Sequence, residues 1–230
     1  PDGGGMAGTY LRVSRNTERA LASPRPRLRG TSHLVAAVVA LPGAAVWTAV
    51  QTTSRTRAGV ALFAFGVAVM FAASALLHLR RWSVAMHERL FRLDHTGIYC
   101  AIGGSAAGIA VLGLDGWPRR AMLIGAAVGT GVGILLEWLP FAPPRGLSNS
   151  VYITLGWLPI VLLPWLWVAE GVLVVVLIVV GGVLYTSGAV IVALRRPDPL
   201  PGWFGYHELF HVLVILAVAV HAVAIGRLLG

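Results

Sequence analysis

This chain has no lysine, a single cysteine and nine acidic residues among 230. Each shortage excludes something. Cys100 has no partner for an internal disulfide, and its place in an apolar run makes packing its expected role. Charged residues make up 12% and hydrophobic residues 57%, with a mean hydropathy of +0.79. One soluble core of this size cannot hide that much apolar surface, so the chain is read as an integral membrane protein. The formal charge is +9, and all eighteen basic residues are arginines scattered between apolar stretches. They read as membrane-surface anchors, and no nucleic-acid partner is expected. The first thirty residues also lack a continuous apolar core with a small-residue cleavage site behind it, so no cleavable signal is expected there.

What is present is apolar and periodic. A membrane helix needs about 20 apolar residues to cross about 30 Å of hydrocarbon. Seven stretches meet or approach that length, at 32–50, 58–79, 94–113, 120–139, 150–167, 171–193 and 206–228. The connections between them are short and leave no room for a soluble domain. The expected fold is therefore all-α: an integral membrane bundle of seven transmembrane helices over 31–230, preceded by a mobile tail over 1–30. Pro1-Asp2-Gly3-Gly4-Gly5 before Met6 resembles an expression scar.

Arginine counting sets the expected orientation. Arg12, Arg15, Arg19, Arg25, Arg27, Arg29, Arg80, Arg81, Arg89, Arg92, Arg145, Arg195 and Arg196 fall on one side of the seven spans. Arg55, Arg57, Arg119, Arg120 and Arg227 fall on the other. Thirteen against five places the N-terminus in the cytoplasm and the C-terminus outside, in the cell inner (plasma) membrane. His78 then ends the second span as it reaches the cytoplasmic face. Asp94 and His95 begin the third span at that face, and His207 begins the seventh. His211 follows one turn deeper, at about 1.5 Å rise per residue.

Ionisable side chains at membrane depth point to function, because hydrocarbon solvates them badly. His207 and His211 stand i, i+4 on one helix face, a spacing that lets two imidazoles hold one ion. His78 offers a third nitrogen from another helix. Three neutral imidazoles and a water form the open coordination of a catalytic zinc, which lowers the pKa of its water to about 7. Asp94 is the nearest carboxylate to orient and deprotonate such a water. Ser74, one turn before His78, is placed to donate to a substrate carbonyl.

Other readings of the same residues stand beside this one. His207-Glu208-Leu209-Phe210-His211 matches HExxH, with Glu208 as general base, but the helix spans the membrane and no further ligand follows at a zincin spacing. Each histidine could instead satisfy a buried hydrogen bond between helices. Haem is disfavoured, since His207 and His211 share one side of one helix whereas a bis-imidazole haem takes ligands from opposite directions. His221 lies about 280° round the helix from His211 and is expected to meet another polar group or to pack. Glu137 is read as a snorkelling surface charge, and His87 and Glu88 as solvated residues of the second loop. Glycines such as Gly103, Gly104, Gly108 and Gly181 are read as sites of close helix packing. Pro159 and Pro164 should kink the fifth span.

Ser74-x-x-x-His78, the stretch Arg92-Leu93-Asp94-His95-Thr96-Gly97-Ile98-Tyr99, and Gly205-Tyr206-His207-Glu208-Leu209-Phe210-His211 with a later His221 resemble the three signatures of the hemolysin III family. That family is the bacterial branch of the progestin and adipoQ receptor superfamily. Leu155-Gly156-Trp157 and Gly181-Gly182-Val183-Leu184-Tyr185-Thr186-Ser187-Gly188 also fit it, so the resemblance runs over about 31–226. It implies seven helices, a cytoplasmic N-terminus and zinc near the inner leaflet, held by His78, His207 and His211 with Asp94 and Ser74 beside it. The wider superfamily includes alkaline ceramidases and implies hydrolysis of a lipid amide or ester, with a role in membrane-lipid homeostasis. Gly104-Ser105-Ala106-Ala107 departs from the family's more polar segment. The expected function is zinc-dependent lipid hydrolysis, with membrane lipids as partners and a lipid as substrate. The alternative is a receptor-like or regulatory protein with structural zinc, and a pore-forming lysin ranks last because no line of charges is evident for an aqueous pore.

Overall fold

The computed structural model describes residues 21–22, 24–139 and 147–230, apart from the side chains of 148 and 149. Residues 1–20 of the tail expected over 1–30, with Arg12, Arg15 and Arg19, lie outside the described residues, as does Arg145. The helices are α1 (Thr31–Ala49), α2 (Ser54–Leu79), α3 (Val84–Gly113), α4 (Gly116–Trp138), α5 (Leu147–Trp157), α6 (Leu163–Glu170), α7 (Val172–Leu194) and α8 (Tyr206–Arg227). Seven are spans by length and hydropathy when Ser150–Glu170, which covers most of α5 and all of α6, counts as one. Among the described residues there is no strand, and a lone bridge between Leu200 and Phe204 is the nearest thing to one. The protein is a seven-helix, multi-pass membrane protein.

Two spans form the centre. About 67% of the apolar window of α2 and of α3 is buried, against 11% for α1, 17% for α4 and for the fifth span, 22% for α7 and 39% for α8. The reason lies in small residues. Gly66 faces the Cys100 carbonyl and Gly104 faces the Leu62 carbonyl so closely that a Cβ on either would collide with backbone. In lipid, helix association rests on such close van der Waals contact, since apolar side chains gain little by leaving hydrocarbon for protein. The outer spans instead turn Val35, Val38, Val39, Ile124, Val128 and Val168 outward, which suits a surface covered by acyl chains.

α3 begins ten residues earlier than the hydropathy pattern suggests. Ser83 caps it, its hydroxyl accepting from the Met86 amide at 3.4 Å. His87, Glu88, Arg89 and Arg92 are therefore helical and not part of a solvated loop, and Glu88 is buried with its carboxylate 3.6 Å from Arg92 one turn on. Hydropathy missed this because polar turns that carry a helix past the hydrocarbon resemble a loop. Glu137 is half-buried, and its Oε1 is buried without a hydrogen-bond partner among the described residues. The fifth span is interrupted as its prolines imply, with a 3-10 segment over Leu158–Leu162 that contains Pro159 and leads into Pro164.

Residues 25–30 are not a free tail. Arg27 and Leu28 donate backbone amides to the carbonyls of Gly202 and Trp203 at 3.0 and 3.1 Å. The segment thus crosses the end of the bundle where α2 stops and α8 starts.

Candidate metal centre

α2 brings His78 to its last turn, and α8 brings His207 to its first, with His211 one turn further. The start of α8 is fixed by Glu208, whose Oε2 accepts the Gly205 amide at 2.9 Å while Asp198 accepts the Tyr206 amide at 2.9 Å. Glycine has no side chain to return the bond, so this is half of a capping box. The other oxygen, Oε1, is paired with Arg29. Glu208 is 1% exposed and fully engaged, so it acts as a cap and ion-pair partner, and the HExxH reading with Glu208 as general base lacks a free carboxylate.

The three imidazoles of α2 and α8 converge. His78 Nε2 and His207 Nε2 lie 3.2 Å apart, and one nitrogen from each of His78, His207 and His211 lies within 4.8 Å of the others. Their ring centroids are 4.7 Å (His78 to His207), 4.6 Å (His207 to His211) and 5.1 Å (His78 to His211) apart, with interplanar angles of 66°, 64° and 58°. Rings that ligate one ion point at it radially. With a metal–nitrogen distance of about 2.0–2.1 Å, tetrahedral nitrogens lie about 3.3 Å apart and ring centres about 5 Å apart. The His211 Nδ1 is buried with no hydrogen-bond partner among the described residues, which is costly for a polar atom unless something else binds there. The residues present therefore fit a divalent ion with three nitrogen donors.

Asp94 and Ser74 stand beside the imidazoles. The Asp94 Oδ2 is 3.9 Å from His78 Nε2, beyond a direct hydrogen bond. The Ser74 hydroxyl is within hydrogen-bonding reach of the Asp94 carboxylate. Ser74 is 2% exposed, while the side chains of Asp94 and His78 are 13% and 12% exposed. The five residues singled out from the sequence thus meet at one end of the bundle. His95, at the same depth, instead places Nδ1 2.9 Å from the Phe91 carbonyl of its own helix.

A family model described as haemolysin-III related matches residues 22–222. The chain belongs to the haemolysin-III related family. The match covers the first six spans, the seventh as far as residue 222, and all five site residues.

Three haemolysin-III residues at this site escaped the sequence reading. Arg29 pairs with Glu208, between the two α8 histidines. Arg25 donates to the His78 carbonyl, one of the orphan acceptors at the end of α2. Burial, with Arg29 and Arg81 nearby, lowers the Arg25 guanidinium from its ordinary value. Both arginines had been counted as tail charges. The third is His33 on α1, 2% exposed and stacked on His211. Thr31-Ser32-His33 carries no spacing that points to a second histidine 178 residues away.

His221 occupies a different setting. Its Nε2 lies 3.2 Å from the Ile178 carbonyl, to which it donates, and its ring fills the space left open by Gly181, where a Cβ would collide with it. It meets a polar group, as expected, and takes no part in the cluster.

Proposed function

We propose that the chain is a zinc-dependent hydrolase of a lipid amide or ester, with a role in membrane-lipid homeostasis. The observation that carries this reading is the convergence of one nitrogen each from His78, His207 and His211 within 4.8 Å of one another, with the Asp94 Oδ2 3.9 Å from His78 Nε2. His78, His207 and His211 would hold the zinc. When bound, zinc supplies Lewis acidity toward a carbonyl oxygen and makes water acidic enough to attack near neutral pH.

The chain's own residues divide the remaining work. Asp94 takes the proton released as water adds to the acyl carbon and returns it to the amine or alcohol as the carbon–nitrogen or carbon–oxygen bond breaks. Ser74, beside Asp94, donates its hydroxyl to the carbonyl oxygen as charge develops there. The products are a fatty acid and an amine or alcohol. The apolar faces of the outer spans favour membrane lipids as partners and bring a lipid substrate laterally. The thirteen-to-five arginine distribution supports an N-terminus in the cytoplasm and the site near the inner leaflet of the inner membrane.

The test compares detergent-purified wild type with His78→Ala and Asp94→Asn, using elemental analysis and a panel of ceramides and acyl lipids. Wild type should hold about one zinc and release fatty acid. Asp94→Asn should keep the metal and lose on the order of 10²–10⁴-fold in turnover. A second reading, structural zinc in a receptor-like protein, is favoured by the burial of His211 at 1% exposure. Stoichiometric zinc with no turnover on any lipid, together with unfolding of His78→Ala, would establish that reading instead.

A further inference from the structure

The three converging imidazoles stand on two helices that scarcely touch. α2 packs on α1 and α3, and α8 packs chiefly on α7, with little close approach between α2 and α8 themselves. Both helices also carry a histidine at an end. His78 lies in the last turn of α2 and His207 in the first turn of α8, where backbone groups lack partners within the helix and turns fray. Holding three nitrogens within 4.8 Å of one another therefore takes something beyond the packing of α2 on α8.

Residues 25–30 supply it. The Arg25 guanidinium donates to the His78 carbonyl, and Arg29 pairs with Glu208, whose other oxygen caps α8. One arginine thus holds each histidine-bearing end. The two are tied to each other, since Arg25 Nη2 also donates to the Arg29 carbonyl at 3.4 Å. The stretch between them is anchored to the connection that leads into α8: Arg27 and Leu28 bond through their amides to the Gly202 and Trp203 carbonyls, and the Arg27 guanidinium lies 4.2 Å from the Trp203 ring centre. Gly30 then turns the chain into α1 with φ +81°, so close to His78 that a Cβ would lie 2.8 Å from its carbonyl carbon and oxygen. Membrane-surface charge accounts for arginines at this end of the bundle. It does not account for two of them reaching inward, one to the backbone of His78 and the other to a carboxylate that is 1% exposed.

We propose that Arg25 and Arg29 are positioning residues for the metal centre: the strap over residues 25–30 latches the end of α2 to the start of α8 and holds His78 at ligating distance from His207 and His211. The proposal rests on the three-imidazole metal reading but is independent of hydrolysis. Neither arginine is a ligand. Each acts through a neighbour, Arg25 through the His78 carbonyl and Arg29 through the Glu208 cap, so the centre depends on a segment that precedes the first span.

The experiment measures zinc affinity by chelator competition on detergent-purified full-length protein, for wild type, Arg25→Ala, Arg25→Lys and the double variant Arg29→Met with Glu208→Gln. Thermal unfolding of each metal-free protein is measured alongside. The double variant removes the ion pair as a whole, leaving no buried charge unpaired, and its glutamine amide oxygen still accepts the Gly205 amide. Arg25→Ala and the double variant should each lose about 10–100-fold in zinc affinity, while their metal-free melting temperatures stay near wild type. Arg25→Lys keeps a cationic donor for the His78 carbonyl and should recover most of the affinity. Wild-type affinity in either Arg25→Ala or the double variant would overturn the proposal, as would a loss matched by an equal fall in metal-free stability. If wild type binds no zinc, this proposal and the hydrolase reading both fail. If it binds zinc, responds to both changes and hydrolyses no lipid, only the hydrolase reading fails.

Discussion

Where α3 passes into α4, the charged side chains are exposed and matched. Arg55 donates to the carbonyls of Val111, Leu112 and Leu114 at 2.6, 3.0 and 3.1 Å, and lies 3.3 Å from Asp115, which also faces Arg119 at 3.4 Å. The Asp115 side chain is 74% exposed. At the opposite end of the same bundle His78, His207, His211 and His33 are crowded together in the interior, and nitrogens of His33 and His211 have no hydrogen-bond partner among the described residues. One end uses polar groups to finish helices at a water boundary, where solvent completes each interaction. The other gathers unsatisfied nitrogens away from water, an arrangement that costs stability unless an ion or ligand repays it.

The sharpest way to break this comparison is to remove one nitrogen from the crowded end. His207→Ala should reduce bound metal from about one equivalent to near zero, whereas His221→Ala should leave it full, both read by elemental analysis of purified protein. The ion pairs should differ next. Arg29→Ala leaves the 1%-exposed Glu208 carboxylate without its partner and should destabilise the fold by about 3 kcal/mol, seen as a lower melting temperature in detergent. Gly181→Ala forces a methyl group into the ring of His221 and should cost about 1–3 kcal/mol in the same assay, with metal content unchanged. At the exposed end, Arg119→Ala should shift stability by less than about 0.5 kcal/mol, because water and salt already screen its pair with Asp115. Equal losses from Arg29→Ala and Arg119→Ala would dissolve the distinction between the two ends.

The cluster of His78, His207 and His211 was legible because its signal is local. A histidine pair at i, i+4 and a histidine ending an apolar run are visible in any membrane sequence, and alternation of spans puts both at one end. The start of α3 was less legible, since Val84-Ala85-Met86-His87-Glu88-Arg89 has loop-like hydropathy and becomes helical through the Ser83 cap and the Glu88–Arg92 pair. HExxH, a pattern defined by spacing alone, offered Glu208 as a general base, a reading already disfavoured by the membrane-spanning helix. Its two oxygens are taken by Gly205 and Arg29, and that competition is settled by a segment 179 residues away.

By itself, then, the sequence determined the number of spans, the end at which the polar residues gather and the chemical type of the donors. Apolar length, arginine placement and imidazole spacing act locally and survive in one dimension. Only the tertiary structure decided which helices touch, because Gly66 and Gly104 matter through the backbone carbonyls they meet on another span. It also decided that Glu208 is occupied and that His33 lies flat on His211. Those are contacts between chain segments far apart in sequence, set by the packing of whole helices, and no local pattern encodes the partner.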